Sequence, residues 1–263
     1  LPEEAIERKA ISLINPINVE LSLMRTTLAP QMIHAIARNQ KRGILSGRLY
    51  ELGNVFIPKN LPLTEYPDER ETLSVGVFGE NESFFTIKGM AETVADTLDI
   101  EFEYETAAKP YLHPYQTAKI ICDGDEVGYL GKISYEIKDE LDMRVDGYIM
   151  EIDLKKLTKW YGKSQVFIPI SKYAQEKRDF AFVVDKGITC AQIENGIKEA
   201  CEYVTDITLF DVYEGIQLPA DKKSMAFTVV FTPKDEEFTT KMIESYVNDV
   251  LDHLSKSLGV ALR

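Results

Sequence analysis

The chain has 263 residues, 44% of them hydrophobic, with 43 acidic against 30 basic side chains and a net charge of −13. That is enough apolar material for one large or two ordinary globular domains. The acidic balance excludes bulk, sequence-independent attraction to nucleic acid or to anionic membranes, so any nucleic-acid contact must be local and shaped.

No apolar run approaches the roughly 18 residues that a membrane span needs, and no signal-peptide pattern is present. The three cysteines, Cys122, Cys190 and Cys201, are odd in number and read as reduced thiols, which places the protein in the cytoplasm. The start at Leu1-Pro2-Glu3-Glu4 points to a piece of a longer polypeptide.

Residues 1 to about 60 begin helically and are interrupted at Ile14-Asn15-Pro16-Ile17-Asn18-Val19-Glu20. Leu21 to Leu28 then leads through Pro30 into a helix with Met32, Ile33, Ile36 and Ala37 at helical spacing. Arg48 to Phe56 alternates as a strand, and Arg25, Arg38 and Arg48 read as surface ion-pairing residues. Leu73 to Val77 is a second strand, followed by a turn at Gly79-Glu80-Asn81-Glu82. Phe85, Ile87, Met90, Val94 and Leu98 trace a helix of roughly four turns. After a break at Pro110-Tyr111-Leu112-His113-Pro114, Ala118 to Cys122 and Glu126 to Ile133 flank Asp123-Gly124-Asp125, a hairpin signal. Gly147 to Leu154 is another strand.

Hairpin pairs with helices between them predict an α+β fold with an antiparallel sheet. His113 has no second His or Cys at ligand spacing and reads as a structural hydrogen-bonder. Asp123-Gly124-Asp125 lacks the ligand series of a calcium loop and reads as a turn. No metal site is expected.

Lys155 to Ser164, with Trp160 and Gly162, reads as the passage between domains at 1–160 and 165–263. The second domain has the order strand (Arg178 to Asp185), helix (Thr189 to Cys201), strand (Thr205 to Tyr213), strand (Ser224 to Thr232), helix (Thr239 to Leu258), strand (Val260 to Arg263). This βαββαβ order is the ferredoxin-like split pattern. In the last helix Tyr246, Val247, Val250, Leu251, Leu254 and Leu258 form an apolar stripe, expected to pack on the Phe182, Phe210 and Phe227 side of the sheet.

The hairpin from Leu209 to Phe231 carries the chemistry. Strict alternation sends Phe210 and Val212 to the core side and Leu209, Asp211 and Tyr213 to the other; across the loop, Met225, Phe227, Val229 and Phe231 are core while Ser224, Ala226, Thr228 and Val230 are opposite. The open face thus offers a carboxylate, a phenol, a hydroxyl and a small alanine. A flat surface with one ring, one acceptor and room between them suits a nucleobase, which has a π-face to stack and an edge to hydrogen-bond. An ordinary mixed-polarity sheet face is the plainer alternative.

Several stretches resemble the β subunits of bacterial phenylalanyl-tRNA synthetases. Phe167-Ile168-Pro169-Ile170-Ser171-Lys172-Tyr173, Arg178-Asp179, Leu209-Phe210-Asp211-Val212-Tyr213-Glu214-Gly215 and Lys222-Lys223-Ser224-Met225-Ala226-Phe227 resemble that family's ferredoxin-fold anticodon-binding domain. Asn15-Pro16-Ile17 with Glu20, Met24-Arg25-Thr26, Leu28, Asn39, Arg42 and Leu49-Tyr50-Glu51-Leu52-Gly53 resemble its class II synthetase-like catalytic-like domain. So do Ile87-Lys88-Gly89, His113-Pro114 and Gly128-Tyr129-Leu130-Gly131. The family often has Gly after the His-Pro pair, where this chain has Tyr115 and Gln116.

The resemblance implies a C-terminal fragment of such a subunit, lacking the family's oligonucleotide-binding fold, editing domain and helical metal-associated segment. It implies a first domain that is catalytically silent and packs on an α subunit within an α2β2 heterotetramer. It also implies a second domain that binds the anticodon stem-loop of tRNA-Phe. Asp211, Tyr213, Ser224 and Ala226 match the positions lining the pocket for the first anticodon base, a guanine. An acceptor carboxylate suits the donors of guanine's edge. Lys172, Lys177, Arg178, Lys222 and Lys223 flank the region as phosphate-contact candidates, or are merely solvated.

The ATP-binding residues of a class II site are not apparent. The strand Arg48 to Phe56 lacks the expected Arg followed by an acidic residue, and Gly147 to Leu154 has neither the glycines nor the Arg of the closing motif. No catalytic residue is therefore assigned, and ATP and magnesium belong to the holoenzyme. Two other readings stay open: a small-molecule, amino-acid-binding regulatory module using the loop at Asp185-Lys186-Gly187, and a purely architectural protein.

Overall fold

A computed structural model describes residues 8–19, 22–161 and 170–262. The expected helical start at residues 1–7, Glu20 and Leu21, the segment with Gly162, Ser164 and Phe167-Ile168-Pro169, and Arg263 lie outside the described residues. The chain divides into two units, Leu1–Gln165 and Val166–Arg263.

In the first unit α1 (Ala29–Lys41) precedes β1 (Gly47–Ile57), β2 (Asp68–Phe78), α2 (Phe84–Leu98), β3 (Glu103–Thr106), β4 (Leu112–Cys122), β5 (Asp125–Ile133), α3 (Tyr135–Glu140), β6 (Gly147–Asp153) and α4 (Leu154–Leu157). The strands form one antiparallel sheet in the order β1-β2-β6-β5-β4-β3. Alternation along β6 shows how both faces are used. Ile149 joins Met32, Ile33 and Ile36 of α1 with Phe78 and Ile133, whereas Tyr148, Met150 and Ile152 join Ile87 and Ala91 of α2 on the other side. Gly76 permits the close seat of α1, because a Cβ there would fall 2.7 Å from the Met32 sulfur and 2.9 Å from Ile36 Cδ1.

Glu151 fixes the start of α1 from across the sheet. Its Oε2 accepts from the amides of Leu28 and Ala29, both at 3.0 Å, and from the hydroxyls of Thr27 at 2.7 Å and Tyr129 at 3.3 Å. The otherwise unpartnered first amides of a helix are satisfied in this way. Burial still pushes the carboxyl's pKa up against those four donors.

Asp123 and Gly124 both have positive φ, 53° and 79°, so the expected hairpin forms with a two-residue left-handed turn. His113 accepts the Tyr115 amide on Nδ1 at 3.2 Å and meets the Tyr135 ring edge-on. The expected break at Pro110 to Pro114 is a turn only at Pro110 and Tyr111, and β4 begins within it at Leu112. Three short elements, β3, α3 and α4, are absent from the sequence-based expectation. Phe85 leaves the predicted stripe and is 77% exposed. The described part of the expected passage at Lys155 to Ser164 packs on the first unit, with Leu157 and Trp160 buried in the core on the α2 side.

At the start of β6, Asp146 takes two ammonium groups, Lys132 at 2.6 Å and Lys138 at 2.7 Å, and the Lys132 side chain is only 6% exposed. Burial alone would raise the Asp146 carboxyl; the two lysines outweigh it and hold its pKa below the ordinary value. A depressed carboxylate contributes stability that is complete above the unfolded-state pKa and is lost as pH falls through the folded-state value. Asp146→Asn should therefore cost about 3 kcal/mol near neutral pH, because it strands the buried Lys132 charge. Chemical-denaturation curves of wild type and variant should converge below about pH 4; a constant gap down to pH 3 would contradict this.

In the second unit β7 (Glu176–Asp185), α5 (Cys190–Ala200), β8 (Val204–Tyr213), β9 (Lys222–Phe231), α6 (Thr240–Leu258) and β10 (Ala261–Leu262) follow in order. The sheet runs β10-β7-β9-β8 with all pairs antiparallel, the ferredoxin-like arrangement. Thr189 and Thr239 cap the two helices through their hydroxyls. Phe180, Phe182, Phe227, Val229 and Phe231 of the sheet meet Ile193 and Ile197 of α5 and Val250 and Leu254 of α6. Both helices therefore cover one face. All three thiols are free; Cys122 and Cys201 are buried, and burial pushes both thiols up in pKa.

Candidate nucleic-acid interface

The face of the second sheet away from α5 and α6 is laid out by β9, where Ser224, Ala226, Thr228 and Val230 alternate with the core residues Met225, Phe227 and Val229. The register gives four rows across the sheet. Ser224 stands between Val183 and Tyr213, Ala226 between Ala181 and Asp211, Thr228 between Asp179 and Thr208, and Val230 between Lys177 and Asp206. Successive rows lie roughly 7 Å apart along the strands. Asp211, Tyr213, Ser224 and Ala226 thus occupy two adjacent rows, with Ala181 and Ala226 making a flat floor.

The route by which Asp211 and Tyr213 reach this face differs from the expected one. Leu209 pairs with Phe227 and packs into the core, whereas Asp211 pairs with Ala226; between them the register shifts. Phe210 is the extra residue of a β-bulge, which reverses the alternation and bends the strand locally. Phe210 is 57% exposed and Val212 48% exposed, so neither is the core residue that alternation assigned. A signal was present: Ile207 and Leu209 share parity with Asp211 and Tyr213, which no unbulged strand could reconcile with one apolar face.

The polar groups of this face are unequally engaged. Thr228 donates to Asp179 at 2.7 Å. Asp211 is exposed and makes no hydrogen bond or ion pair among the described residues. Ser224 is 4% exposed, and Tyr213 is half-buried beside it.

Of the five cationic candidates, the structure brings Lys177 and Lys222 onto the open face. Lys222 is 2.7 Å from Asp185, and that hydrogen bond holds its ammonium above the usual lysine pKa. Arg178 and Lys223 stand opposite Val229 and Val184, at register positions of the helix-covered face, and Arg178 pairs with Glu176 at 2.9 Å. Lys172 is exposed on the segment before β7, which is tied down by Ser171 to Pro233, Tyr173 to Asp235 and Gln175 to Thr232. The loop at Asp185-Lys186-Gly187 is closed by ion pairs, Asp185 with Lys222 and Lys186 with Glu214 at 2.9 Å, and by the Lys186 amide donating to Asp221.

The first unit holds a cleft of about 170 Å³ lined by Thr27, Arg70, Lys109, Tyr129, Glu151 and Asp153. Its guanidinium is already engaged, since Arg70 meets Asp68 at 2.7 Å and Asp153 at 3.7 Å. Among the described residues no group of three or more His, Cys, Asp or Glu is placed to hold a metal ion, and no helix is long and apolar enough to cross a membrane.

An antiparallel α+β unit followed along the chain by a ferredoxin-like unit, whose sheet has one face turned away from its own two helices, defines the class as a two-domain α+β protein. Known proteins make the class specific. Residues 171–263 match the ferredoxin-fold anticodon binding domain family, and residues 1–154 match the family described as phenylalanyl tRNA synthetase beta chain CLM domain. The chain belongs to the phenylalanyl-tRNA synthetase beta chain family.

The phenylalanine–tRNA ligase beta subunit of Clostridium tetani is 32% identical over 266 residues, covering 100% of this chain and 33% of the relative. That of Bacillus subtilis strain 168 is 32% identical over 260 residues, covering 94% of this chain and 32% of its own length. This chain therefore spans about a third of the length of the curated relatives it matches. Among solved structures, pyrrolysyl-tRNA synthetase from Desulfitobacterium hafniense is similar over 60% of this chain and 55% of its own, with a TM-score of 0.47 and 16% identity.

The bulge makes a reversal of the alternation rule measurable. Leu209→Ala should lower stability by about 1–3 kcal/mol as an apolar truncation in the core wall. Phe210→Ala, despite the larger side chain, should stay within about 0.5 kcal/mol because it is an exposed position. Urea unfolding of both variants checks this, and the opposite order would place Phe210 in the core.

Proposed function

We propose that this chain is the part of a phenylalanine–tRNA ligase beta subunit that supplies a non-catalytic core to the alpha subunit and reads the anticodon of tRNA-Phe. The observation that supports it most is the pairing of Asp211 with Ala226 and of Tyr213 with Ser224 on the sheet face turned away from α5 and α6. The carboxylate takes donors from a base edge, the ring supplies a stacking plane, and the alanine floor leaves room for the base. Lys172, Lys177 and Lys222 would supply charge to the backbone, with Arg178 and Lys223 reaching it only from the strand ends.

The first unit activates no amino acid on this reading. Arg48 and Arg70 of its sheet, and Arg25 of the segment before α1, are turned to protein partners: Arg25 to Glu51, Arg48 to Glu82, and Arg70 to Asp68 and Asp153. β6 ends on Glu151 and Asp153 rather than on a cation, so triphosphate would meet carboxylates. ATP and magnesium are used by the partner subunit, in a cytoplasmic α2β2 assembly. The ion pairs that close the Asp185-Lys186-Gly187 loop count against the regulatory amino-acid module.

In the intact ligase, Tyr213→Ala should weaken charging of tRNA-Phe roughly tenfold or more in kcat/KM, the usual cost of removing one stacked aromatic. Asp211→Ala should instead narrow the gap between guanine and adenine at the first anticodon position. Lys222→Ala should lower affinity for both alike and flatten the salt dependence. Wild-type charging by both open-face variants would leave the hairpin as sheet alone. Phenylalanine-dependent ATP–pyrophosphate exchange by the purified chain above a buffer blank would overturn the non-catalytic reading.

A further inference from the structure

Gly215 lies just beyond the end of β8, two residues after Tyr213. Its φ is not among the positive values that favour glycine, which occur at Gly43, Gly79, Gly124 and Gly259. The backbone at this exposed position therefore accepts any residue. The space does not. A Cβ on Gly215 would fall 2.4 Å from the Tyr213 hydroxyl oxygen, 2.6 Å from Cζ and 3.2 Å from Cε1. No neighbour other than Tyr213 is among the three nearest atoms.

Strand side chains lean along the strand, and Gly215 stands in the bend just beyond β8, its carbonyl accepting the Leu218 amide. The hydroxyl end of the Tyr213 ring occupies the space that a side chain at Gly215 would take. A ring held in one place on main chain has little rotamer freedom left to lose when a ligand stacks on it, and such preorganisation is worth affinity. It also fixes where the aromatic plane stands relative to the Asp211 carboxylate in the adjacent row. Gly187, by contrast, has nothing within 4 Å of its virtual Cβ and no positive φ, so this domain also contains a glycine that serves no such purpose.

We propose that Gly215 is a positioning residue for base recognition, its missing side chain being the seat that holds the Tyr213 ring in stacking position. The proposal rests on the anticodon-reading role of this face. It assigns to the glycine a contact with Tyr213 alone, with no direct contact to RNA.

The test uses the intact ligase with Gly215→Ala, Tyr213→Ala, the double variant and Gly187→Ala as control, charging tRNA-Phe. Gly215→Ala should raise KM for tRNA about tenfold, approaching the loss from removing the ring itself, with kcat and melting temperature unchanged. Gly187→Ala should change nothing. In the Tyr213→Ala background, adding Gly215→Ala should have no further effect, the full non-additivity expected of residues acting through one contact. A readout independent of activity is the ¹⁹F resonance of 3-fluorotyrosine at position 213, assigned by Tyr213→Phe in this 263-residue chain; it should shift with Gly215→Ala and stay fixed with Gly187→Ala. Additive losses, or an unmoved resonance with unchanged KM, overturn the seat. If Tyr213→Ala itself leaves charging intact, the anticodon reading of the face fails instead, and the resonance shift alone then shows a contact without a function.

Discussion

Between Leu209 and Asp211, β8 carries one residue more than β9 opposite it, and the character of the open face depends on that single insertion. Ahead of it, Ile207 and Leu209 must face α5 and α6, because the core around Phe227 has no other wall on that side. Beyond it, Asp211 and Tyr213 have to face away to stand in rows with Ala226 and Ser224, leaving the helix-side place opposite Met225 to the apolar Val212. A strand of period two cannot meet both demands. The bulge resolves the conflict by letting Phe210 stand outside the alternation, half out in solvent. Bulges recur where a side chain must be re-aimed, and here the two re-aimed side chains are the ones to which the proposed reading gives base recognition.

On the proposed reading, charge alone cannot be the recognition principle of this face. Around it, Lys186 and Lys222 are held by Glu214 and Asp185, and Asp179 is held by Thr228. These pairs neutralise the neighbourhood of Asp211 without touching it. Exposed ion pairs contribute little to stability, but each keeps a flexible ammonium off the Asp211 carboxylate. In a chain of net charge −13, attraction to phosphate is weak from the start, so if the face binds RNA as proposed, shape and base-edge chemistry decide what is bound.

Much of this was legible from the residues. The apolar stripe of α6, the strict alternation of β9 and the Asp123-Gly124 turn each carry a local signal strong enough to stand alone. The bulge left only an indirect mark, since Leu209 and Phe210 are both apolar and either one fits a core by composition. β3, read as Glu-Tyr-Glu-Thr, has too little apolar character to be seen before its pairing with β4 exists. α3 is six residues long, shorter than the window in which helical periodicity can be counted. The helix-side placement of Arg178 and Lys223 follows from parity with Phe180 and Met225, and was hidden by treating the cations as a flanking cluster rather than by strand register. The seat at Gly215 was beyond sequence reasoning, because it is a contact made by the absence of an atom.

An uncovered aspartate beside a fixed ring selects by exclusion as much as by attraction. A base presenting two donors on its pairing edge satisfies the carboxylate with two charge-assisted hydrogen bonds. A base presenting an acceptor at the same place brings a lone pair toward a negative charge and leaves both groups stripped of water, a penalty larger than the loss of one hydrogen bond. The stacking plane cannot make that distinction, since every base has a π-face. On the proposed reading the two residues therefore divide the work: Tyr213 supplies affinity that is indifferent to sequence, and Asp211 converts it into a preference for guanine. The division holds only while the ring stays put, because a base free to slide along a mobile ring could turn its acceptor away from the carboxylate.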